Sequence, residues 1–179
     1  VPSLRLIFAD NAPRGKSLAS RRASEYHQRA IPWPPEGAPA MPDLTLLERL
    51  PTPAEYRALC ESVGWGGLIN FDAAPDSLAR SLFGVVVTDG DTAIGMGRIV
   101  GDGVMYFYVQ DVAVNPAYQG RGVGAMILRA LLDFVRRTAP DQAFVGLFAA
   151  QDTQPFYQRF GFDEHPDDLV GMFAVTPLE

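Results

Sequence analysis

The sequence predicts an α/β fold: a mixed, mostly antiparallel sheet of six or seven strands, split by one parallel pair, with helices on both faces. Three observations carry this expectation. Three β-rich runs, 84–88, 93–100 and 104–114, are joined by the short turn-forming links DGD and GDG, which makes an antiparallel meander. After a glycine-rich loop, residues 123–138 place Val123, Met126, Ile127, Ala130, Leu131, Phe134 and Val135 on one stripe at helical spacing. The apolar run AFVGLFAA at 143–150 then reads as a buried strand, and strand, helix, strand in that order implies a right-handed crossover and a parallel pair.

Taken in order, residues 1–40 form an irregular arm with six prolines and a net charge of +3, in which IPWPPEGAPAMP resists both helix and strand. Residues 41–179 form the domain and carry a net of −9. Met41, directly followed by patterned sequence, offers an alternative start that would make the arm upstream sequence; a genuine extension is the other reading. Thr52, Pro53 and Glu55 open a helix as N-cap, first position and capping-box partner, and Gly64 closes it. Residues 65–75 form a loop, and Asp76 or Ser77 caps a short helix over 77–83. The run 104–114 is apolar or aromatic on both parities up to Val109, so it is expected to be a central strand covered on both faces. Arg136 and Arg137 suit the C-terminal dipole of the 123–138 helix, and Pro140 stops it. A short helix at 153–160 and β segments at 161–164 and 170–175 end the pattern, with no internal repeat.

Charge narrows the partners. The formal net charge of −6 and pI near 4.9 argue against a surface that collects phosphate backbone, so no nucleic-acid partner is expected and a small cationic one fits better. A single cysteine, Cys60, cannot form an internal disulfide. No apolar run approaches the ~20 residues of a membrane span, and the first residues show no signal-peptide pattern. A cytoplasmic setting without a membrane partner is expected.

The sharpest local feature is VNPAYQGRGVGAMIL, 114–128, where a buried strand passes through glycines into a helix. Gly120, Gly122 and Gly124 let the backbone turn tightly and approach a ligand, and the free N–H groups with the helix dipole make a phosphate site. Alone, the same glycines serve equally as a packing or capping device. The loop lacks the Lys and Ser/Thr of a Walker A motif.

With the residues Gln119, Gly120, Arg121, Gly122, Val123 and Gly124 in place after DVAV, and QPFYQRFGF at 154–162 downstream, the chain resembles the GCN5-related N-acetyltransferases over roughly residues 45–175. That resemblance implies a cleft between two splayed parallel strands that takes acetyl-CoA as cosubstrate. Residues Val112, Ala113 and Val114 would lie along the pantetheine arm, Val112 and Val114 pairing with it through backbone groups, and the N–H groups of 119–124 would hold the pyrophosphate. Gln119 and Arg121 can add side-chain contacts, although a solvated loop charge is an equal reading of Arg121.

Tyr157 is the expected catalytic acid. A departing thiolate has a parent pKa of ~8.5 and a phenol ~10, so the phenol is protonated at neutral pH and can donate as the thiolate forms. Packing beside Phe156 and Phe160 is its alternative role. The base is less determined. Several relatives carry a Glu where this chain has Gln110, which leaves Asp111 as the nearest carboxylate, acting directly, through waters or by attracting the amine, or else as a structural carboxylate bonded to backbone N–H groups. Many relatives carry an Asn seven residues before the tyrosine, where this chain has Ala150, so Gln151 is left to supply that contact.

His27 and His165 are isolated, so no metal is expected, and Cys60 reads as a core residue rather than an acyl carrier. Trp65, Asn70, Phe83, Tyr106 and Tyr108 are candidates to line an acceptor pocket or simply core. The expectation is an N-acetyltransferase acting on the primary amine of a small molecule by direct attack, with a homodimer as the family's tendency. Its rivals are a non-catalytic acyl-CoA sensor, suggested by Gln110, and a toxin that acetylates aminoacyl-tRNA, which the negative charge of residues 41–179 disfavours.

Overall fold

A computed structural model of the chain describes residues 44–164; the arm at 1–40, Met41, His165 and the β segment expected at 170–175 lie outside the described residues. Within them are two compact units, 44–148 and 149–164, each taken by itself.

The larger unit is built on a five-stranded sheet in the order β1-β2-β3-β4-β5: β1 Leu44–Leu47, β2 Phe83–Asp89, β3 Thr92–Gly101, β4 Tyr106–Val114 and β5 Phe144–Gly146. The first four are antiparallel neighbours, and β4 runs parallel to β5 through three pairs, ending at Tyr108↔Gly146. Its helices are α1 Pro53–Ser62, α2 Ala74–Ala79 and α3 Val123–Thr138. The meander and α3 stand where the hydrophobic pattern puts them.

The α1 N-terminus is the expected capping box: the Glu55 backbone N–H donates to Thr52 Oγ1 at 3.2 Å and the Thr52 N–H to Glu55 Oε2 at 2.7 Å. Arg49 adds a two-pronged bond to the same carboxylate at 2.7 and 2.8 Å, and these bonds hold Glu55 at about 2, well below its ordinary 4.5.

The two faces of the sheet separate cleanly along β3. Gly95 and Gly97 face α3, and a Cβ at Gly97 would stand 2.6 Å from Ile127 Cγ2 and 2.9 Å from Leu131 Cδ1. The absent side chains let α3 lie directly on the sheet, with Val123, Ile127, Leu128 and Leu131 buried beneath it. Met96, of opposite parity, joins Tyr56, Leu59, Cys60, Ala74, Leu78 and Ala113 in the core under α1 and α2. Helices therefore cover both faces.

Three expectations are corrected. Among the described residues the sheet has five strands; 161–164 form none, and the strand expected at 170–175 lies outside them. β1 was not foreseen: LTLL is too short to show alternation and is a strand only because β2 offers an edge. α2 begins at Ala74 with Pro75 in its first turn and no side-chain cap, so the preset φ of proline rather than Asp76 or Ser77 starts it. The run 143–150 is not a buried strand; three residues pair, and Phe144 and Phe148 are 54% and 61% exposed. Tyr106, opposite Phe144, is likewise 62% exposed, so β4 is covered on both faces only beyond its first residue.

The smaller unit carries a five-residue helix, α4 Gln154–Gln158, shorter than the 153–160 expected. Gly161 at φ 89° turns the chain out of it, and the Phe160 and Phe162 N–H groups donate back to the Tyr157 carbonyl. No helix among the described residues is long and apolar enough to cross a membrane.

Candidate active site

The site begins with an irregularity in β4. Arg98 pairs with Gln110 but Met96 pairs with Ala113, so Asp111 and Val112 together stand opposite Gly97 alone. This is a β-bulge, and Asp111 adopts φ 55°, a left-handed conformation uncommon for any residue but glycine. Regular alternation would send the Asp111 side chain to the α3 side with Val109, the partner of Ile99. The kink turns it to the α1 side instead.

There the carboxylate is buried and saturated. Asp111 Oδ2 accepts from Arg98 Nε at 2.6 Å and from the Tyr56 hydroxyl at 3.0 Å, and Oδ1 accepts from Gln110 Nε2 at 3.1 Å. Arg98 Nη1 in turn donates to the Ser77 carbonyl at 3.2 Å, Ser77 Oγ at 3.2 Å and Ser81 Oγ at 3.0 Å. With Arg98 and Asp111 each 8% exposed, the pair is a closed internal network. Both oxygens of Asp111 are thus engaged, one by a guanidinium, and the partners are side chains rather than the backbone N–H groups expected of a structural carboxylate. Burial first, then Asp111, raises the Tyr56 phenol and pushes the Cys60 thiol to about 11, leaving no thiolate to carry an acyl group.

Beyond Tyr108 and Gly146 the parallel pair separates, and β4 from Val109 to Val114 has no strand on that side among the described residues. The Asn115 N–H donates to the Ile94 carbonyl at 2.8 Å across the β3 side, so the carbonyl of the same peptide, Val114 O, points to the open side. By alternation Val112 presents its backbone there too, while Ala113 pairs with Met96 and is buried in the core. The Val114 carbonyl already has a partner: Gln119 Nε2 donates to it at 2.9 Å. Gln119 thus secures the strand end to the loop, a task its motif position did not reveal.

The loop opens with a 3-10 turn, Pro116–Tyr118, capped by Asn115. Gly120 and Gly122 then take φ 72° and 88°, and Gly122 is the N-cap of α3 with no side chain bonding the helix N–H groups. A Cβ at Gly120 would meet nothing within 4 Å, so the loop backbone faces open space. Val123 is buried and can offer a ligand only its backbone; Gly124 lies in the first helical turn. Arg121 is exposed, its guanidinium 5.6 Å from the centre of the Tyr118 ring, and the Tyr118 hydroxyl donates to Asp89 Oδ2 at 2.7 Å. Open N–H groups at a helix start beside an arginine form an anion-binding arrangement.

Tyr157 lies in the smaller unit, on α4. It is half-buried, burial raises its phenol above the ordinary 10, and its ring meets Phe156 and Phe162 edge-on at 4.9 and 6.2 Å. Ala150 and Gln151 are both exposed. No group of three or more His, Cys, Asp or Glu among the described residues could hold a metal.

Arg98 and Tyr56 were missed. The available signal was a lone arginine in the otherwise apolar AIGMGRIV, one strand away from a lone aspartate in an apolar run, since two buried charges of opposite sign must find each other.

The family model for the acetyltransferase (GNAT) domain matches residues 80–164. A solved structure from methicillin-resistant Staphylococcus aureus, described as a probable acetyltransferase, is 31% identical, covers 74% of this chain and 98% of its own, and superposes with a TM-score of 0.69. The uncharacterized N-acetyltransferase ycf52 of Porphyra purpurea is 28% identical over 66% of this chain and 69% of its own length. The histone acetyltransferase TAP1 of Glycine max is 30% identical over 66% of this chain, and that match spans only 55% of the soybean protein.

Proposed function

The chain belongs to the GNAT acetyltransferase family and is an acyltransferase, and from that premise we propose that it transfers acetyl from acetyl-CoA to the primary amine of a small molecule by direct attack. The observation that carries the reading is the uncapped, outward-facing loop 119–124 set beside the open edge of β4. The residues fit the cosubstrate in kind. Backbone groups of Val112 and Val114 are free of β3 and suited to an extended pantetheine arm, the loop N–H groups and Arg121 suit its phosphates, and Gly120 leaves room for both.

Chemically, the amine nitrogen attacks the thioester carbonyl, the carbon–sulfur bond breaks, and Tyr157 donates its proton to the departing sulfur. A phenol raised by burial stays protonated across neutral pH, which suits a donor. With Asp111 engaged and Gln110 unable to accept a proton, the amine sheds its proton to water before attack. The net of −9 over residues 41–179 favours a cationic acceptor.

The same Gln110 favours one second reading, an acyl-CoA sensor without turnover. A panel of amines, among them polyamines, amino acids, amino sugars and peptide N-termini, assayed by thiol release and paired with calorimetry against CoA, separates the two. Release with at least one amine supports the transferase; CoA binding with no release on any amine gives the sensor, and salt-sensitive tRNA binding would point to aminoacyl-tRNA as acceptor.

A further inference from the structure

We propose that Arg98 is a positioning residue: its buried ion pair with Asp111 holds the left-handed kink of β4, and the kink decides which backbone groups of β4 face the open edge. The inference rests on the reading of that edge as the pantetheine-binding strand.

An aspartate at φ 55° persists only where its surroundings over-determine it. Here they do. Arg98 binds Asp111 with Nε while Nη1 is fixed by Ser77 and Ser81, so the guanidinium is anchored to α2 and the segment after it before it reaches the strand. Tyr56 from α1 and Gln110 from β4 complete the ring of donors. The alternative, an unkinked β4, would carry the carboxylate to the α3 side beside Ile99 and Val109, where no cation of the described core waits. Two charges therefore select the side that residue 111 faces.

The selection has a consequence down the strand. A bulge adds one residue, and because side chains and amides alternate with a period of two, one residue exchanges inward for outward at every later position. With the kink, Ala113 turns its backbone to β3 and Val112 and Val114 turn theirs to the open edge. Without it the assignment reverses: Ala113 would face the edge and the Val114 carbonyl would leave Gln119. Arg98 makes none of these contacts itself and acts through Asp111.

The test compares two double variants of the full chain. Arg98→Met with Asp111→Gly removes the ion pair but leaves a residue that adopts the kink freely; Arg98→Met with Asp111→Leu removes the pair and opposes the kink. The leucine variant is expected to bind CoA at least about tenfold more weakly than wild type by calorimetry, and the glycine variant within about threefold of it. A cooperatively melting leucine variant with wild-type affinity overturns the proposal. So does a cooperatively melting glycine variant as weak as the leucine one, since the carboxylate and not the kink would then matter. Should either double fail to fold, Arg98→Lys decides: it keeps the charge but loses the planar fork, and is expected to weaken CoA severalfold, so wild-type affinity overturns the proposal. A wild-type chain that binds no CoA overturns the cosubstrate reading instead. In that case backbone chemical shifts of residues 110–113 without ligand still test the lock, kept in the glycine variant and displaced in the leucine one; the same shifts in both overturn it.

Discussion

Replacing Gly97 by alanine puts a methyl group in place of a hydrogen at a crowded point of the sheet. The new Cβ would stand 2.6 Å from Ile127 Cγ2 and 2.9 Å from Leu131 Cδ1, both inside the distances that carbon atoms tolerate. Both neighbours are buried under α3, so neither can swing into solvent. Overpacking of this kind costs about 1–3 kcal/mol, and the lower chain entropy of alanine in the unfolded state returns about 0.4–1 kcal/mol, leaving a net loss of about 1–2 kcal/mol. For a chain of 179 residues that lowers Tm by about 2–8 °C. Gly67, which has nothing within 4 Å of its Cβ position and no positive φ, supplies the control: Gly67→Ala should be neutral or slightly stabilising. Thermal melts by circular dichroism read both. The cause is separable with Ile127→Ala, which alone opens a cavity costing about 2–5 kcal/mol; with Gly97→Ala the two should sum to less than their parts by about 1 kcal/mol, because each relieves the other. If Gly97→Ala melts at or above wild type, or if the double variant is strictly additive, α3 has slack over β3 and the glycine is not a spacer.

Other outcomes follow from groups already placed. Tyr157→Phe should leave CoA affinity intact and lower kcat and kcat/KM for the amine together by ~10²- to 10⁴-fold, and an unchanged rate with chemistry limiting would make Tyr157 a packing residue. In the wild type, an amine that loses its proton to water and a phenol raised above 10 predict kcat/KM rising with pH from 7 with no descending limb below 10; a fall beginning near 8 would mean the acid is another group. Glu55, held near 2 from an ordinary 4.5, contributes stability that is present above 4.5 and is lost as pH falls through 2. Glu55→Gln should accordingly flatten acid unfolding across that window, and an unaltered acid limb would discount the Arg49 and Thr52 bonds. Cys60, fully buried with its thiol pushed up to about 11, should resist alkylation in the native chain and react on unfolding; rapid native labelling would show that its core opens.

What could be read in the residues was whatever repeats or is stated locally. α3 is Val123–Thr138 in both readings because seven apolar residues at helical spacing over sixteen positions leave a single solution, and α1 announces itself through Thr52, Pro53 and Glu55. β1 and β5 depend on pairing with distant strands, which short apolar strings cannot specify; LTLL is a strand and most of AFVGLFAA is not. The site divides the same way. Gly120 and Gly122 were legible, since positive φ at a helix start calls for glycine. The turn at Asp111 was not, because a single residue crossing to the left-handed region leaves the composition of the strand unaltered and shows only in the register with β3. The carboxylate looked available for proton transfer for the same reason: its nearest partners, Arg98 and Tyr56, come from 13 and 55 residues away.

The β2–β3 connection looks like the natural place to graft an affinity tag or a reporter loop, being a tight turn of exposed Gly90 and Asp91 far along the chain from Tyr157. Asp89, at its edge, nevertheless receives the Tyr118 hydroxyl, and Tyr118 lies under Arg121. Lengthening that turn would loosen a strut beneath the loop 119–124, so a fusion made there would be tolerated by the sheet yet, if that loop holds the CoA phosphates as proposed, register as weaker CoA capture. The loop around Leu68, though exposed at that residue, is no freer a choice, since Trp65, Ile69 and Phe71 beside it pack on the core that holds Tyr56, the partner of Asp111.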